Sequence, residues 1–129
     1  MSKSNYQVWV QKAEDNLRWS KDNLESENYP LVCYLSQQAV ELILKGYIYS
    51  KNEIPPKTHQ LIRLTKVCSN LNLDLDEYLP VLAILAEYYF ESRYPDEFNP
   101  ELEKKEVAQK AYSSAKKVVE YVLKILSDS

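Results

Sequence analysis

Apolar and polar positions alternate with a helical period along most of the chain. Between Asn5 and Glu25, and again between Pro100 and Leu126, apolar or small residues recur at intervals of three and four. This spacing gives a helix one apolar face and predicts two long helices that pack in a bundle. The positions are Tyr6, Val10, Ala13, Leu17, Ser20 and Leu24 in the first, and Ala108, Ala111, Ala115, Val118, Val122 and Ile125 in the second.

Residues 29–49 form the most apolar stretch, and it predicts a central helix over Pro30 to Ser50. A helix that is apolar nearly all round lies among neighbours on several faces. Gln37, Glu41 and Lys45 recur every four residues and therefore share one polar strip. The strip is either the solvent-facing side of this helix or a buried polar seam with a function.

Two shorter helices are predicted between the long ones. The first runs from Thr58, as N-cap, to Asn70, and the second from Glu77 to Ser92, with Pro80 in its first turn. Two adjacent prolines, Pro55 and Pro56, predict a stiff, extended connector before the first of them. The sum is an all-α, five-helix up-and-down bundle, expected to form a single domain over residues 1–129.

Composition narrows the function classes. The chain has 129 residues, a net charge of −3 and one glycine, so it is neither a basic DNA-coating protein nor a hairpin-rich β-protein. The apolar runs are shorter than the roughly 18 residues that a membrane span needs, and Ser2 to Glu14 is polar. No membrane association is expected, and the expected location is the cytoplasm.

Metal and cofactor chemistry has little support. Cys33 and Cys68 fall at apolar helical positions and are predicted to be buried, unpaired thiols. With a single histidine and no paired-cysteine motif, no metal site is expected, and without a glycine-rich phosphate loop no cofactor is expected either.

Two short segments carry candidate binding chemistry. Lys57, Thr58 and His59 lie at a predicted helix start, which favours anions such as phosphate; alternatively, Thr58 is only a cap and His59 is structural. Arg93, followed by Tyr94 and Asp96, offers a guanidinium that suits phosphate or carboxylate; alternatively, Arg93 pairs with Asp96 or Glu41. The aromatic cluster Tyr88, Tyr89, Phe90 and Tyr94 is either core or a surface on which bases stack.

Four segments in order resemble the HEPN domain (higher eukaryotes and prokaryotes nucleotide-binding). They are Trp9 with Ala13 to Leu17, Gln37-Gln38-Ala39-Val40-Glu41 with Lys45, Pro56-Lys57-Thr58-His59-Gln60-Leu61, and Ser92-Arg93-Tyr94-Pro95-Asp96. The resemblance covers nearly the whole chain. It implies a helical bundle that is usually a homodimer, often paired with a minimal nucleotidyltransferase as a toxin–antitoxin or related system, and linked to nucleotide or RNA binding.

The resemblance also implies a set of ligand-binding residues: Gln38, Glu41, Lys45, Lys57, His59, Arg93, Tyr94 and Asp96. Many members are metal-independent ribonucleases in which an arginine is followed, after a few residues, by a histidine. Here no histidine follows Arg93, so that motif is broken. His59 replaces it only if the fold brings His59 beside Arg93.

Three functions are therefore expected, in this order. The first is a non-enzymatic module that binds a nucleotide or RNA phosphates and acts with a nucleotidyltransferase. The second is a metal-independent ribonuclease toxin that uses Arg93 and His59 as catalytic residues. The third is an interaction or dimerisation module that binds no ligand.

Overall fold

The computed structural model describes residues 4–88 and 100–128, and within them it contains α-helices, short 3-10 turns and no β-strand. The predicted all-α, five-helix fold is confirmed. The helices are α1 (Ser4–Glu25), α2 (Tyr29–Ser50), α3 (Leu61–Asn70), α4 (Leu79–Ala86) and α5 (Lys105–Ser127).

The second helix, α2, is the centre of the bundle. It packs against α1 on one side, α5 on another and α3 on a third. Since its apolar residues cover most of its circumference, they are removed from water on all three sides. Its fully buried apolar side chains are Val32, Cys33, Ala39, Val40, Ile43, Leu44 and Ile48.

Helices α1 and α2 approach each other closely at the chain's single glycine. A Cβ atom at Gly46 would lie 3.2 Å from the Cβ of Trp9, which is closer than ordinary van der Waals contact. Glycine at this position therefore lets the Cβ atom of Trp9, and with it α1, come close to the backbone of α2, one residue after Lys45.

The connector between α2 and α3 folds back along α2. The Tyr47 hydroxyl donates to the Leu71 carbonyl (2.6 Å), and the Gln37 amide donates to the His59 carbonyl (3.3 Å). The earlier residue of α2 contacts the start of α3 and the later residue contacts its end, so the two helices run in the same direction. The extended connector predicted from Pro55 and Pro56 provides the length for this return.

Helix α3 begins at Leu61, and the prediction that Thr58 is its N-cap is wrong. The Thr58 hydroxyl accepts a hydrogen bond from the Gln60 amide (3.1 Å), and Gln60 occupies the N-cap position without a side-chain bond. A hydroxyl that closes a two-residue turn competes with capping, because both uses need the same oxygen. The turn holds His59 outside the helix.

The other helix starts also differ from prediction by a few residues. Asp76–Tyr78 is a 3-10 turn before α4, and Pro100–Glu103 is a 3-10 turn before α5. Pro80 lies in the first turn of α4, as predicted. The predicted end of this helix at Ser92 is wrong, because the helix ends at Ala86 with Glu87 as its C-cap; residues 89–99 lie outside the described residues.

Cys33 and Cys68 are buried, unpaired thiols, which confirms the prediction for both. Burial raises the pKa of each thiol to about 12, because the thiolate would lose its hydration in the core. Among the described helices, none is long and apolar enough to cross a lipid bilayer.

Candidate functional site

The polar strip of α2 is buried. Gln37 is 0% exposed, Glu41 3% and Lys45 8%, so the interpretation of the strip as the solvent-facing side of α2 is wrong. Charged side chains are almost never fully buried unless they are paired. The strip therefore requires partners, and these come from three elements.

The Glu41 carboxylate is the centre of the strip. One of its oxygens, Oε2, accepts from the Lys45 ammonium at 2.9 Å and lies 3.0 Å from Nδ1 of His59. Glu41 and Lys45 are one helical turn apart on α2, whereas His59 belongs to the connector before α3. We call these three residues the Glu41 cluster.

The Lys45 ammonium is enclosed by two kinds of partner. It lies 5.9 Å from the centroid of the Trp9 ring on α1, in addition to its bond with Glu41. An aromatic face attracts a cation, and this attraction grows as water is removed. Lys45 is therefore a neutralising partner for Glu41, with little charge left to offer an anion.

His59 connects the buried carboxylate to the surface. Its side chain is 56% exposed, although Nδ1 contacts an oxygen of a side chain that is only 4% exposed. The carboxylate fixes the ring through Nδ1, so Nε2 lies on the opposite edge of the imidazole. Lys57, two residues earlier, is exposed.

Three buried acceptor oxygens lie along the same strip without a hydrogen-bond donor from the described residues. They are Oε1 of Gln37, Oε1 of Gln38 and Oε1 of Glu41. A buried acceptor without a donor costs about 1–3 kcal/mol. The strip is thus suited to groups that donate N–H or O–H hydrogen bonds.

A family model for the HEPN domain matches residues 6–126. The chain belongs to the HEPN family. The sequence resemblance is thereby confirmed over almost the whole domain.

Relatives of this HEPN domain include one named as a toxin. "Putative toxin MJ1304" of Methanocaldococcus jannaschii is 27% identical over 133 residues, which covers 94% of this chain and 88% of that protein. Two solved structures share the fold at 24% identity. TT1696 of Thermus thermophilus has a TM-score of 0.78 (92% of this chain, 96% of that chain), and the archaeal HEPN homologue ST0689 has 0.71 (91% and 93%).

The HEPN fold brings together part of the set of residues expected to bind a ligand. Glu41, Lys45 and His59 meet directly, and Gln38 lies on the adjoining edge of the strip. Lys57 follows on the connector. Arg93, Tyr94 and Asp96 lie outside the described residues.

Only one member of the aromatic cluster lies within the described residues. Tyr88 is buried against the hydrophobic core, which agrees with its interpretation as core. The other three members, Tyr89, Phe90 and Tyr94, fall within residues 89–99.

Sequence reasoning missed two parts of the site. Trp9 was named only as part of the HEPN resemblance, and no periodicity within α1 indicates that its ring faces a cation on α2. Gln37 was recognised as part of the strip, but its bond to the His59 carbonyl depends on the returning connector. Across residues 4–88 and 100–128, no group of three or more metal-ligating side chains is close enough to hold a metal ion.

Proposed function

We propose that this HEPN domain binds a nucleotide or RNA and acts as the toxin-like member of a pair with a minimal nucleotidyltransferase. The observation that carries the proposal is the Glu41 cluster. A carboxylate and an ammonium are kept in the core at the expense of their hydration, and an exposed imidazole joins them to the surface. The name of the M. jannaschii relative supports the toxin part of the proposal.

The hydrogen-bonding groups of the strip match the polar groups of a nucleotide. The unpartnered oxygens of Gln37, Gln38 and Glu41 are acceptors that suit the donors of ribose hydroxyls and base amino groups, but they are enclosed, so a nucleotide reaches them only when the side chains over the strip move aside. A phosphate is bound well by a cation and by N–H donors, and at the surface edge of the strip Lys57 offers an ammonium and His59 an imidazole. Arg93 is proposed as a further phosphate ligand on the basis of the sequence.

The local charge also favours a phosphate ligand. The chain has a net charge of −3, yet the stretch from Ile54 to Leu73 contains no aspartate or glutamate. The cations of that stretch therefore produce a positive potential around the start of α3, and such potentials raise the local concentration of anions.

Isothermal calorimetry with ATP, GTP and a short RNA tests the proposal. We expect saturable heat with at least one of them, and weaker binding in Lys57→Gln/His59→Ala. Lys117→Gln, an exposed lysine on α5, is the charge-matched control and is expected to bind as the wild type does. Absence of heat with all three ligands, for protein shown to be folded, would contradict the proposal.

A second candidate function is a metal-independent ribonuclease, which is favoured by the 3.0 Å contact between Glu41 Oε2 and His59 Nδ1. A carboxylate that orients an imidazole is a common arrangement for a general base. His59 would take the proton of a ribose 2′-OH as that oxygen attacks phosphorus. The P–O bond to the 5′-oxygen then breaks, the leaving oxygen takes a proton from water, and a 2′,3′-cyclic phosphate forms. Arg93 would stabilise the charge on the phosphate.

Incubation with RNA in EDTA separates the two functions. Cleavage that is retained in EDTA, lost in His59→Ala and unchanged in Lys117→Ala would establish the ribonuclease. Binding without cleavage would leave the first proposal. Light scattering, alone and with a candidate nucleotidyltransferase, tests the proposed homodimer and the proposed partner.

A further inference from the structure

A separate groove lies between the end of α2, the returning connector and the outer face of α3. Its volume is about 350 Å³, and it opens to solvent on one side. None of the residues that line it belongs to the Glu41 cluster. Its apolar walls are formed by Ile48 on α2, Ile54 on the connector, Val67 on α3 and Leu71, the C-cap of α3.

One wall of the groove is an apolar side chain held in water. Ile54 is 74% exposed, and the two prolines that follow it directly keep the backbone there extended. Another wall consists of Val67 on the last turn of α3 and Leu71, the C-cap that follows it. A flat ring with two apolar faces fits between walls of this kind.

Opposite charges stand at the rim of the groove. Arg63 and Glu53 both line it, and neither forms an ion pair or a side-chain hydrogen bond with the described residues. A guanidinium presents several donors in one plane, which suits the oxygens of a phosphate. The Glu53 carboxylate repels anions but accepts hydrogen bonds from hydroxyl or amino groups.

We propose that this groove binds one nucleotide unit, with the base between Ile54 and α3, the phosphate on Arg63, and a ribose or amino donor on Glu53. This inference rests on the proposed nucleotide- or RNA-binding function and assigns it a second subsite. The volume is at the lower end of the range for ligand sites, which suits one nucleotide. Glu53 disfavours inorganic phosphate, which offers little hydrogen donation in return.

The phosphate and the base can come from a free nucleoside monophosphate or from an end of an RNA chain. Titration of ¹⁵N-labelled protein with AMP, GMP, a short RNA and inorganic phosphate distinguishes these sources. We expect saturable shifts of the Val67, Asn70 and Leu71 amides with a nucleotide or the RNA, and none with inorganic phosphate at the same concentration.

Variants on α3 test the role of the guanidinium. Arg63→Gln is expected to weaken binding by about tenfold or more, as for loss of a charged hydrogen bond. Lys66→Gln removes an equal charge from the same helix without lining the groove, and therefore measures the general electrostatic effect, which we expect to be about threefold or less. Ile54→Asp places a charge against the base and is expected to weaken binding independently of Arg63.

Each outcome either supports or contradicts the proposal that the groove binds a nucleotide. A loss of nucleotide or RNA binding in Arg63→Gln and in Ile54→Asp, with little loss in Lys66→Gln, supports binding in the groove. Wild-type binding with shifts at Glu41 and His59 only, and equal affinity in Arg63→Gln and Lys66→Gln, overturns the groove and leaves the proposed function standing. No shift with any nucleotide or RNA overturns both.

Discussion

Helix α2 carries two buried polar clusters that differ in how completely their hydrogen bonds are satisfied. In the first, Ser20 and Ser36 are both 0% exposed, their hydroxyls lie 2.8 Å apart, and Ser20 donates to the Val32 carbonyl at 3.2 Å. Each of the two hydroxyls can therefore donate a hydrogen bond to an acceptor within the fold. The second is the Glu41 cluster with the adjoining Gln37 and Gln38, where one acceptor oxygen each of Gln37, Gln38 and Glu41 has no donor from the described residues.

The contrast separates polar groups that serve packing from polar groups that serve a ligand. The serine pair joins α1 to α2 and can be understood from the fold alone. The Glu41 cluster also holds α2 against the connector, but its surplus acceptors add nothing to the stability of the domain. Natural proteins retain such unfavourable groups mainly where function requires them.

The largest effect is expected when the Glu41 ion pair loses one partner. Glu41→Gln leaves the ammonium of Lys45 buried without its counter-charge, and we expect a loss of about 3–5 kcal/mol in the free energy of unfolding. Glu41→Gln/Lys45→Met removes both charges and should recover most of that loss. Urea unfolding measures both variants; a double variant no more stable than the single one would contradict the expectation.

The buried thiols should make stability fall at alkaline pH. In the unfolded chain a cysteine loses its proton near the ordinary pKa of 9.0, whereas both folded thiols keep theirs until about 12. Between these values the unfolded state binds fewer protons, so the free energy of unfolding decreases as pH rises, by about 1.4 kcal/mol per pH unit and thiol. At pH 10 the expected loss from both thiols is about 3 kcal/mol.

Urea unfolding at pH 8 and pH 10 checks this slope. Cys33→Ala/Cys68→Ala is the control, since it removes these two titrations and leaves the tyrosines and lysines in place. An equal loss in the wild type and the control would show that the thiols are not responsible.

The closed serine cluster should respond to substitution as a satisfied network does. Ser20→Ala removes the hydroxyl that links Ser36 to the Val32 carbonyl, and we expect a loss of about 1–2 kcal/mol. Ser20→Ala/Ser36→Ala should be no worse than the single variant, because it leaves no hydroxyl unpaired. Thermal unfolding compares the stability of the two variants, and a double variant clearly less stable than Ser20→Ala would contradict the expectation.

The smallest and most informative effect is expected at Gln38. Gln38→Met removes an unpartnered acceptor and keeps the volume of the side chain, so stability should stay unchanged or rise by up to about 1 kcal/mol. In the same variant, nucleotide or RNA binding should weaken. If the variant is less stable but binds as the wild type does, the Gln38 side chain has a structural role like those of Ser20 and Ser36.

The sequence predicts the helices of this domain better than it predicts their connections. The three- and four-residue spacing in α1 and α5 depends on packing of one face against the core, and the structure packs those faces there, just as it surrounds the nearly all-apolar α2. The start of α3 was mispredicted because a threonine hydroxyl serves a cap and a turn equally well, and only the neighbouring backbone decides between them.

The candidate site was predictable only in its local part. Gln37, Glu41 and Lys45 share a strip because of helical geometry, which a sequence reveals directly. The contact of His59 with Glu41 requires the connector to run back along α2, and the groove beside Arg63 requires the same return. Both features join residues about ten to twenty positions apart, and no short-range pattern records that geometry.

The most direct test of the ligand-binding role uses the only histidine in the chain. Its ring gives a single Cε1–H resonance by NMR, and that resonance reports the surface edge of the Glu41 cluster. During titration with a short RNA, we expect it to shift and to saturate together with the calorimetric signal, and to shift less and without saturation when inorganic phosphate is added at the same concentration. A His59 resonance that does not move while RNA binds elsewhere on the domain would contradict the account.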